Sequence, residues 1–178
     1  VDPAFGYHFA DGTSVTLPGA GEGACANALQ EAFGGDTGYQ WRTLLRRAGD
    51  IWALTRSDVL GRTLDGYRDL LPLAKSHRSL RTVAPWRTMR GLGNATLQDP
   101  RARMIFDRYA TYTGSDPRRS PAALVTIPFI EQTFGVWHIG GGLHTLAIAL
   151  HQRCTDLGVD FRFNTRVDRI VTDERGVT

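Results

Sequence analysis

Hydrophobic and polar positions alternate at the start of the chain, over residues 5–9 and again over 15–17. Asp11-Gly12 stands between the two stretches, and this dipeptide favours the tight turn of a β-hairpin. Because successive side chains of a strand point to opposite faces, one face of the pair is expected to be apolar. The pattern therefore predicts a β-hairpin over residues 5–17.

Spacings of three and four residues, which are typical of helices, replace this alternation after residue 23. The clearest helical stripe, in residues 39–56, consists of Trp41, Leu44, Leu45, Ala48, Ile51, Trp52 and Thr55. Other helices are predicted over 24–33, over 64–75 with a bend at Pro72, over 79–92 with an interruption at Pro85, over 122–134 with a break at Pro128, and over 143–156.

One further helix has an unusually clear beginning. Asp99 can cap it and Pro100 suits its first position. Its apolar face is predicted to consist of Met104, Ile105, Tyr109 and Tyr112, and it ends near Gly114. Two strands, 159–164 and 167–173, are predicted to close the chain. These elements together predict an α+β fold.

The strands at both ends need partners that the predicted elements do not supply, since a two-stranded sheet is only marginally stable alone. The chain also starts without an initiator Met. It is therefore expected to be a segment of a longer protein, with exposed apolar surface and a tendency to self-associate. Its composition, 42% hydrophobic and 22% charged, is that of a folded protein. No apolar run approaches the roughly 20 residues that cross a bilayer.

Two cysteines, Cys25 and Cys154, suggest a reduced intracellular setting without a disulfide framework. The charge distribution is more informative. Residues 1–40 contain five acidic and no basic side chains, whereas residues 41–119 contain sixteen basic against seven acidic ones. A basic middle section indicates an anionic partner, either nucleic acid, a phosphate-bearing ligand or an acidic membrane surface. No nucleic-acid recognition motif is present, so nucleic acid is the poorest of the three.

The glycine run 140–142 precedes a predicted helix, as phosphate-binding loops do. However, Thr145 stands where the dinucleotide fingerprint needs its third glycine, and no Lys-Ser or Lys-Thr follows as a P-loop requires. The run is therefore interpreted as a tight turn and not as a phosphate site. The histidines at 138, 144 and 151 lack metal-ligand spacing, so no metal site is predicted.

Several segments resemble the phytoene desaturase family, the FAD-dependent carotenoid desaturases within the wider flavin amine-oxidase group. The most specific are "RYATYTGSDPRRSPAAL" and "FGVWHIGGG", and the tail "GLHTLAIALHQRCTDLGVDFRFNTRVDRIV" is shared by the wider group. The hairpin "FGYHFADGTSVTLP" is also similar to the family's corresponding segment. The resemblance covers essentially the whole chain and the middle part of a family member.

The resemblance implies two regions. Residues 1–133 are expected to form part of a substrate-binding, membrane-facing domain, made of the hairpin and a mostly helical insertion. Residues 134–178 are expected to return to the FAD-binding domain as a helix followed by two strands. On this basis Gly141 and Gly142 mark the crossing between domains, and the backbone of Val167 contacts the adenine end of FAD. The chain alone is expected to bind FAD weakly or not at all.

Catalytic residues are carried over from the same family. "GYRDLL" resembles a segment whose Arg-Asp pair is proposed to lie over the flavin, which gives Arg68 and Asp69. A carboxylate tuned by an arginine can accept the proton that is lost when hydride leaves a C–C bond. Some relatives have a further Arg where this chain has Pro72. The alternative is a pair of solvated neighbours that point in different directions.

An apolar stripe that includes Trp86 and Met89 alternates with arginines over residues 75–93. It suits a helix lying on an anionic membrane, from which a polyene could be collected. A core helix with arginine head groups reaching out to solvent explains the stripe equally well. Tyr109 and Tyr112 could line an apolar tunnel or belong to the core, and Glu131 is assigned no role.

These observations predict the central segment of an FAD-dependent oxidoreductase that desaturates C–C bonds of a long apolar polyene of the phytoene or carotenoid type. The protein is expected in the cytoplasm, peripheral to the membrane, and the segment alone is expected to be inactive. Two alternatives remain open: a non-catalytic lipid- or membrane-binding module that shares the fold, and a flavoenzyme acting on a retinoid or another apolar molecule.

Overall fold

The computed structural model describes residues 1–57, 61–63, 65–66, 68–69, 71, 76–174 and 176–177. Helices and short strands are mixed within them, which agrees with the predicted α+β class. The chain divides into two compact units, Val1–Trp137 and His138–Thr178. This boundary lies close to the predicted one at 133/134, while the assignment of the units to substrate-binding and FAD-binding domains stays a prediction.

The first unit begins with the predicted hairpin. Strand β1 (Phe5–His8) pairs antiparallel with β2 (Ser14–Leu17), with Tyr7 opposite Val15. The turn between them contains Gly12 at φ 83°, a left-handed conformation that glycine adopts without strain. Val15 and Leu17 are buried, so the apolar face predicted by the alternation packs against the helices.

Helix α2 (Thr37–Thr55) is the centre of the first unit, and α1 (Glu22–Phe33) packs along it. Within the stripe predicted for α2, every member except Trp52 is buried. The two helices approach closely at Gly38, where a Cβ atom would lie 2.7 Å from the Ala26 carbonyl oxygen. The largest fully buried side chains are Leu17, Leu29, Trp41, Leu44, Leu45, Ile51, Met89, Leu92, Leu97, Ile105, Phe106 and Tyr109.

The rest of the first unit follows the predicted order of helices. They are α3 (His77–Val83), α4 (Met89–Thr96), α5 (Pro100–Arg108), a 3₁₀ turn at Tyr109–Thr113, a second one at Ala122–Val125, and α6 (Thr126–Phe134). The interruption around Pro85 separates α3 from α4, and the Asp99 carboxylate accepts the Arg101 N–H, as a cap does. The helix predicted over 64–75 falls largely outside the described residues.

Two predictions in this unit are wrong. Met104 and Tyr112 were expected on the apolar face of the helix predicted from Pro100 onwards but are 62% and 51% exposed, because the buried face follows the spacing of Ala102, Ile105, Phe106 and Tyr109. Pro128 does not break α6, since it is the third residue of that helix. A proline there removes an N–H that has no partner within the helix.

The second unit contains α7 (His144–Asp156), which begins and ends as predicted. The strand predicted over 159–164 is not formed, and that over 167–173 is reduced to β3 (Thr172–Asp173), which pairs with β4 (Gly176–Val177). A strand needs a neighbouring backbone for its N–H and C=O groups, and within the described residues no ladder forms beside 159–171. Instead the ring of His151 packs against that of Phe161, with 4.3 Å between the centroids and the two planes tilted by 49°.

No residue of α7 is buried, and its apolar side chains Leu146, Ile148 and Leu150 are between 45% and 58% exposed. This unit therefore presents the exposed apolar surface expected from the sequence, although self-association itself stays a prediction. Among the described residues, none of the helices combines the length and the hydropathy needed to cross a bilayer.

Candidate functional site

A single guanidinium, that of Arg108, lies among four aromatic rings in the first unit. Its Cζ atom is 4.5 Å from the ring centroid of Phe5, 5.5 Å from Tyr7, 4.6 Å from Tyr109 and 5.2 Å from Tyr112. These distances are all within the range in which a cation is attracted by the negative face of an aromatic ring. We refer to these five residues together with Glu131 as the Arg108 cluster.

Glu131 accepts hydrogen bonds from two phenols of the cluster. The Tyr109 hydroxyl donates to Oε1 at 2.6 Å, and the Tyr112 hydroxyl donates to Oε2 at 3.0 Å. Arg108 Nη1 donates to the Tyr112 oxygen at 2.9 Å, and Arg108 Nη2 lies 4.0 Å from Oε1 of the carboxylate. The carboxylate is therefore held from both sides, with a positive charge beside it.

Three elements bring the cluster together. Strand β1 supplies Phe5 and Tyr7, the end of α5 and the following 3₁₀ turn supply Arg108, Tyr109 and Tyr112, and α6 supplies Glu131. Because Arg108 and Tyr112 are four residues apart along a helical path, their side chains lie on the same side. The cluster thus connects the hairpin to α6.

Burial raises the pKa of the tyrosines in this cluster. It raises that of Tyr7 to about 12, although the Arg108 charge opposes the shift. Burial raises the pKa of Tyr109 further, and the Glu131 charge adds to the effect. The pKa of Tyr112 is raised by burial as well, against the hydrogen bond from Arg108. At neutral pH all three phenols are consequently protonated and able to donate.

The Arg108 cluster joins the partly buried Glu131 carboxylate to the surface through polar groups. Tyr109 is fully buried, whereas Tyr112 is 51% exposed. The Tyr7 hydroxyl and Arg108 Nε are buried and have no hydrogen-bond partner within the described part of the chain. Chemically, the arrangement offers fixed hydrogen-bond donors and an aromatic wall.

The other residues predicted for substrate or membrane contact are separated by the fold. Trp86 lies between α3 and α4 and is 70% exposed, so it is free to meet an apolar surface. Met89 begins α4 and is fully buried in the core, so a role for Met89 at the surface is corrected: its thioether contacts other core side chains. The stretch is not one helix, because α3 ends at Val83 with Ala84 in a left-handed conformation.

The predicted catalytic pair lies in a 3₁₀ turn. The Asp69 carboxylate accepts the backbone N–H groups of Asp65, at 2.8 Å, and of Gly66, at 3.1 Å. Arg68 is exposed, while Asp69 is partly buried. These two hydrogen bonds fix the position of the Asp69 carboxylate, and Arg68 takes no part in them.

The glycines and Val167 belong to the second unit. Gly141 and Gly142 have φ values of 83° and 89°, and a Cβ atom at Gly141 would lie 2.9 Å from Thr145 Oγ1. This turn explains both glycines without a ligand. Val167 is 72% exposed, in a stretch without strand pairing. The proposed role of Gly141, Gly142 and Val167 at the edge of FAD stays a prediction.

The histidines of the second unit do not converge on a metal. His144 and His151 line an apolar groove of about 570 Å³ together with Cys154, Phe161 and Phe163. Over the described ranges, no group of three or more His, Cys, Asp or Glu side chains could hold a metal ion.

A family model for flavin-containing amine oxidoreductases matches residues 40–178. The chain belongs to this family. Within it, the chain is similar to carotenoid-modifying enzymes along its full length, including the hairpin that precedes the matched region. The resemblance to phytoene desaturases drawn from the sequence is thereby confirmed.

Three relatives, two desaturases and one oxygenase, illustrate this similarity. Hydroxyneurosporene desaturase of Rhodobacter capsulatus is 32% identical over 99% of this chain and 36% of its own length. The zeta-carotene-forming phytoene desaturase of Myxococcus xanthus is 30% identical over 97% and 33%. 4,4'-Diapolycopene oxygenase of Methylomonas sp. is 26% identical over 96% and 34%. The chain therefore spans about a third of the length of these curated relatives.

The sequence prediction included Tyr109 and Tyr112 as site residues but omitted the four other members of the Arg108 cluster, namely Phe5, Tyr7, Arg108 and Glu131. The spacing Arg-Tyr-x-x-Tyr over 108–112 could have indicated Arg108, because residues four apart meet on a helix. Nothing in the local pattern indicated Glu131, since it lies 19 residues from Tyr112 along the chain.

Proposed function

We propose that the protein containing this chain is an FAD-dependent oxidoreductase that desaturates C–C bonds of a long apolar polyene of the carotenoid type. The observation that carries the proposal is the match of nearly the whole chain to relatives whose names specify carotenoid desaturation. Membership of the flavin-containing family supplies the cofactor class. In this protein, the chain would contribute much of the substrate-binding domain and one edge of the FAD-binding domain.

The chemistry requires removal of a hydride and a proton from two neighbouring carbons. A bound flavin supplies the hydride acceptor. We assign Asp69 as the acceptor of the proton. The fixed position of its carboxylate, whose Oδ2 accepts hydrogen bonds from two backbone N–H groups, supports this assignment. Arg68, exposed and adjacent in sequence, is the second member of the proposed pair.

The Arg108 cluster would shape the substrate side. Its aromatic rings and the exposed edge of Tyr112 offer an apolar wall, while Glu131 and Arg108 keep the rings in fixed orientations. We assign Tyr112 as the member that contacts substrate, because the buried Tyr109 has no free surface. Trp86 would contact the membrane in which the polyene dissolves.

Oxygenation is the second candidate reaction, favoured by the similarity to the diapolycopene oxygenase. It would act on the same class of apolar polyene. The two reactions differ in the mass of the product, which loses two hydrogens in desaturation and gains oxygen in oxygenation.

The test is to purify the full-length protein, record its visible absorbance and incubate it with phytoene and related polyenes. We expect the absorbance of oxidised flavin and products with additional double bonds, detected by mass spectrometry and by longer-wavelength absorbance. This chain alone serves as the control and is expected to be colourless and inactive. A folded, colourless full-length protein would instead favour a non-catalytic lipid-binding module. Turnover by the isolated chain would contradict the expectation that this chain contains only part of the active site.

Replacement of Asp69 by asparagine in the full-length protein is expected to slow flavin reduction by polyene about 10²- to 10⁴-fold, the usual contribution of a positioned proton acceptor. The amide oxygen of asparagine can still accept the N–H groups of Asp65 and Gly66, so the turn should persist. Anaerobic stopped-flow measurement of flavin bleaching gives the rate. The matched control is Asp65→Asn, because Asp65 is exposed and contributes only its backbone. Equal rates of flavin reduction in the two variants would show that Asp69 does not accept the proton.

A further inference from the structure

A cleft between α2 and α3 is lined mainly by basic side chains and is separate from the Arg108 cluster. Its cavity has a volume of about 400 Å³. The lining side chains are Arg47, Asp50, His77, Arg78, Arg81 and Thr82. A second cavity of about 390 Å³ continues along α2 and shares Asp50, Arg78 and Thr82 with the first.

Arg47 carries a positive charge and forms no ion pair with another described residue. Its Nη2 atom donates to the carbonyl oxygens of Arg81, at 3.1 Å, and Thr82, at 2.9 Å, which fixes the side chain at the end of α3. Its buried Nε atom has no hydrogen-bond partner within the described residues. Burial and then the nearby charge of Arg87 lower the pKa of Arg47, and Asp50 only partly opposes this.

The other arginines of the cleft are available for an anion. Arg78 and Arg81 are exposed, and neither forms an ion pair within the part of the chain that the structure describes. They stand three residues apart on α3, so their side chains lie on one side of that helix. Asp50 is thus the one acidic side chain among the six that line the first cavity.

We propose that the cleft between α2 and α3 binds a phosphate group, with Arg47, Arg78 and Arg81 as its ligands. A guanidinium presents several N–H donors in a planar fork that matches the oxygens of a phosphate, and arginine suits such sites better than lysine. The unpartnered Arg47 Nε is the donor that an acceptor oxygen would satisfy. This site does not depend on the oxidoreductase reaction.

The phosphate can belong to a lipid head group or to a soluble ligand. The position of Trp86 favours the lipid, because its exposed indole follows α3 directly and lies next to Arg87 in sequence. Tryptophan prefers the interface between head groups and acyl chains. A phosphate ligand in the cleft and an indole at that depth would together place α3 at the surface of an anionic membrane.

The experiment compares two double variants of the full-length protein. Arg78→Gln with Arg81→Gln removes two exposed ligands and keeps Arg47, which supports α3. Arg42→Gln with Arg46→Gln removes the same charge from α2 but from side chains outside the cleft. Each protein is sedimented with phosphatidylcholine vesicles, with and without phosphatidylglycerol, and is separately titrated with inorganic phosphate in a thermal-shift assay.

We expect binding to vesicles that contain phosphatidylglycerol, weakened about tenfold or more by the Arg78/Arg81 variant and little by the control, since the attraction of a basic side chain to an anionic surface acts only close to that surface. Thermal stabilisation by inorganic phosphate without vesicle binding, with the same dependence on Arg78 and Arg81, would support the site with a soluble ligand as the source. Equal weakening in both variants would reduce the effect to general charge attraction and overturn the proposal. Failure to bind either vesicles or phosphate would overturn it as well.

Discussion

Replacement of Arg108 by methionine is expected to lower the free energy of unfolding by about 2 kcal/mol. This is less than the roughly 3–5 kcal/mol that breaking a buried ion pair costs, because the pair with Glu131 is partly exposed and its atoms are 4.0 Å apart. Methionine keeps the length of the stem but loses the charge, its attraction to the aromatic rings and the hydrogen bond to Tyr112. Glu131, whose side chain is only 13% exposed, would be left without a counter-charge. The Arg108 side chain is 26% exposed, which moderates the loss.

Urea denaturation of the wild-type and variant proteins measures this difference. The control is Arg118→Met, because Arg118 pairs with Asp116 at a side chain that is 72% exposed, and such surface pairs contribute little. We expect no measurable change in the control. Lysine at position 108 should restore only part of the stability, since an ammonium cannot reproduce the planar contacts of a guanidinium. Unchanged stability in Arg108→Met would show that the cluster does not hold the hairpin to α6.

Alkaline pH is expected to unfold the protein through the same cluster. An unfolded tyrosine ionises near pH 10.0, whereas burial keeps Tyr7 protonated in the folded chain up to about pH 12, and the pKa of Tyr109 is raised further. The stabilisation from these phenols is therefore complete below pH 10.0 and is lost as the pH rises through their folded values. Burial also raises the pKa of the Cys25 thiol, from 9.0 to about 11, so the decline should begin near pH 9.0.

Urea denaturation at a series of pH values tests this expectation. Tyr7→Phe is the informative variant, because the Tyr7 hydroxyl has no hydrogen-bond partner within the described residues and its loss should cost little at neutral pH. We expect this variant to lose less stability above pH 10.0 than the wild-type protein does. Cys25→Ala should remove the part of the decline that begins near pH 9.0. A free energy of unfolding that stays constant across this range would contradict the buried, protonated state of the tyrosines.

The local sequence pattern was sufficient to predict elements whose geometry depends on residues that are close together in sequence. The hairpin around Asp11-Gly12 and the cap at Asp99 were predicted correctly, because turn and cap geometry are set within a few residues. The stripe of α2 was also predicted, since burial follows the helical period. The strand over 159–164 failed for the opposite reason, because a strand is stable only beside another backbone.

Local periodicity and matched motifs were enough to predict the α+β class, the order of the helices and the family. Which side chains meet could be learned only from the packed fold. It buried Met89 and exposed Met104, and it joined Glu131 to Arg108 across 23 positions. Such contacts depend on how helices pack against one another, and packing responds to the shape of the whole core and not to any one segment.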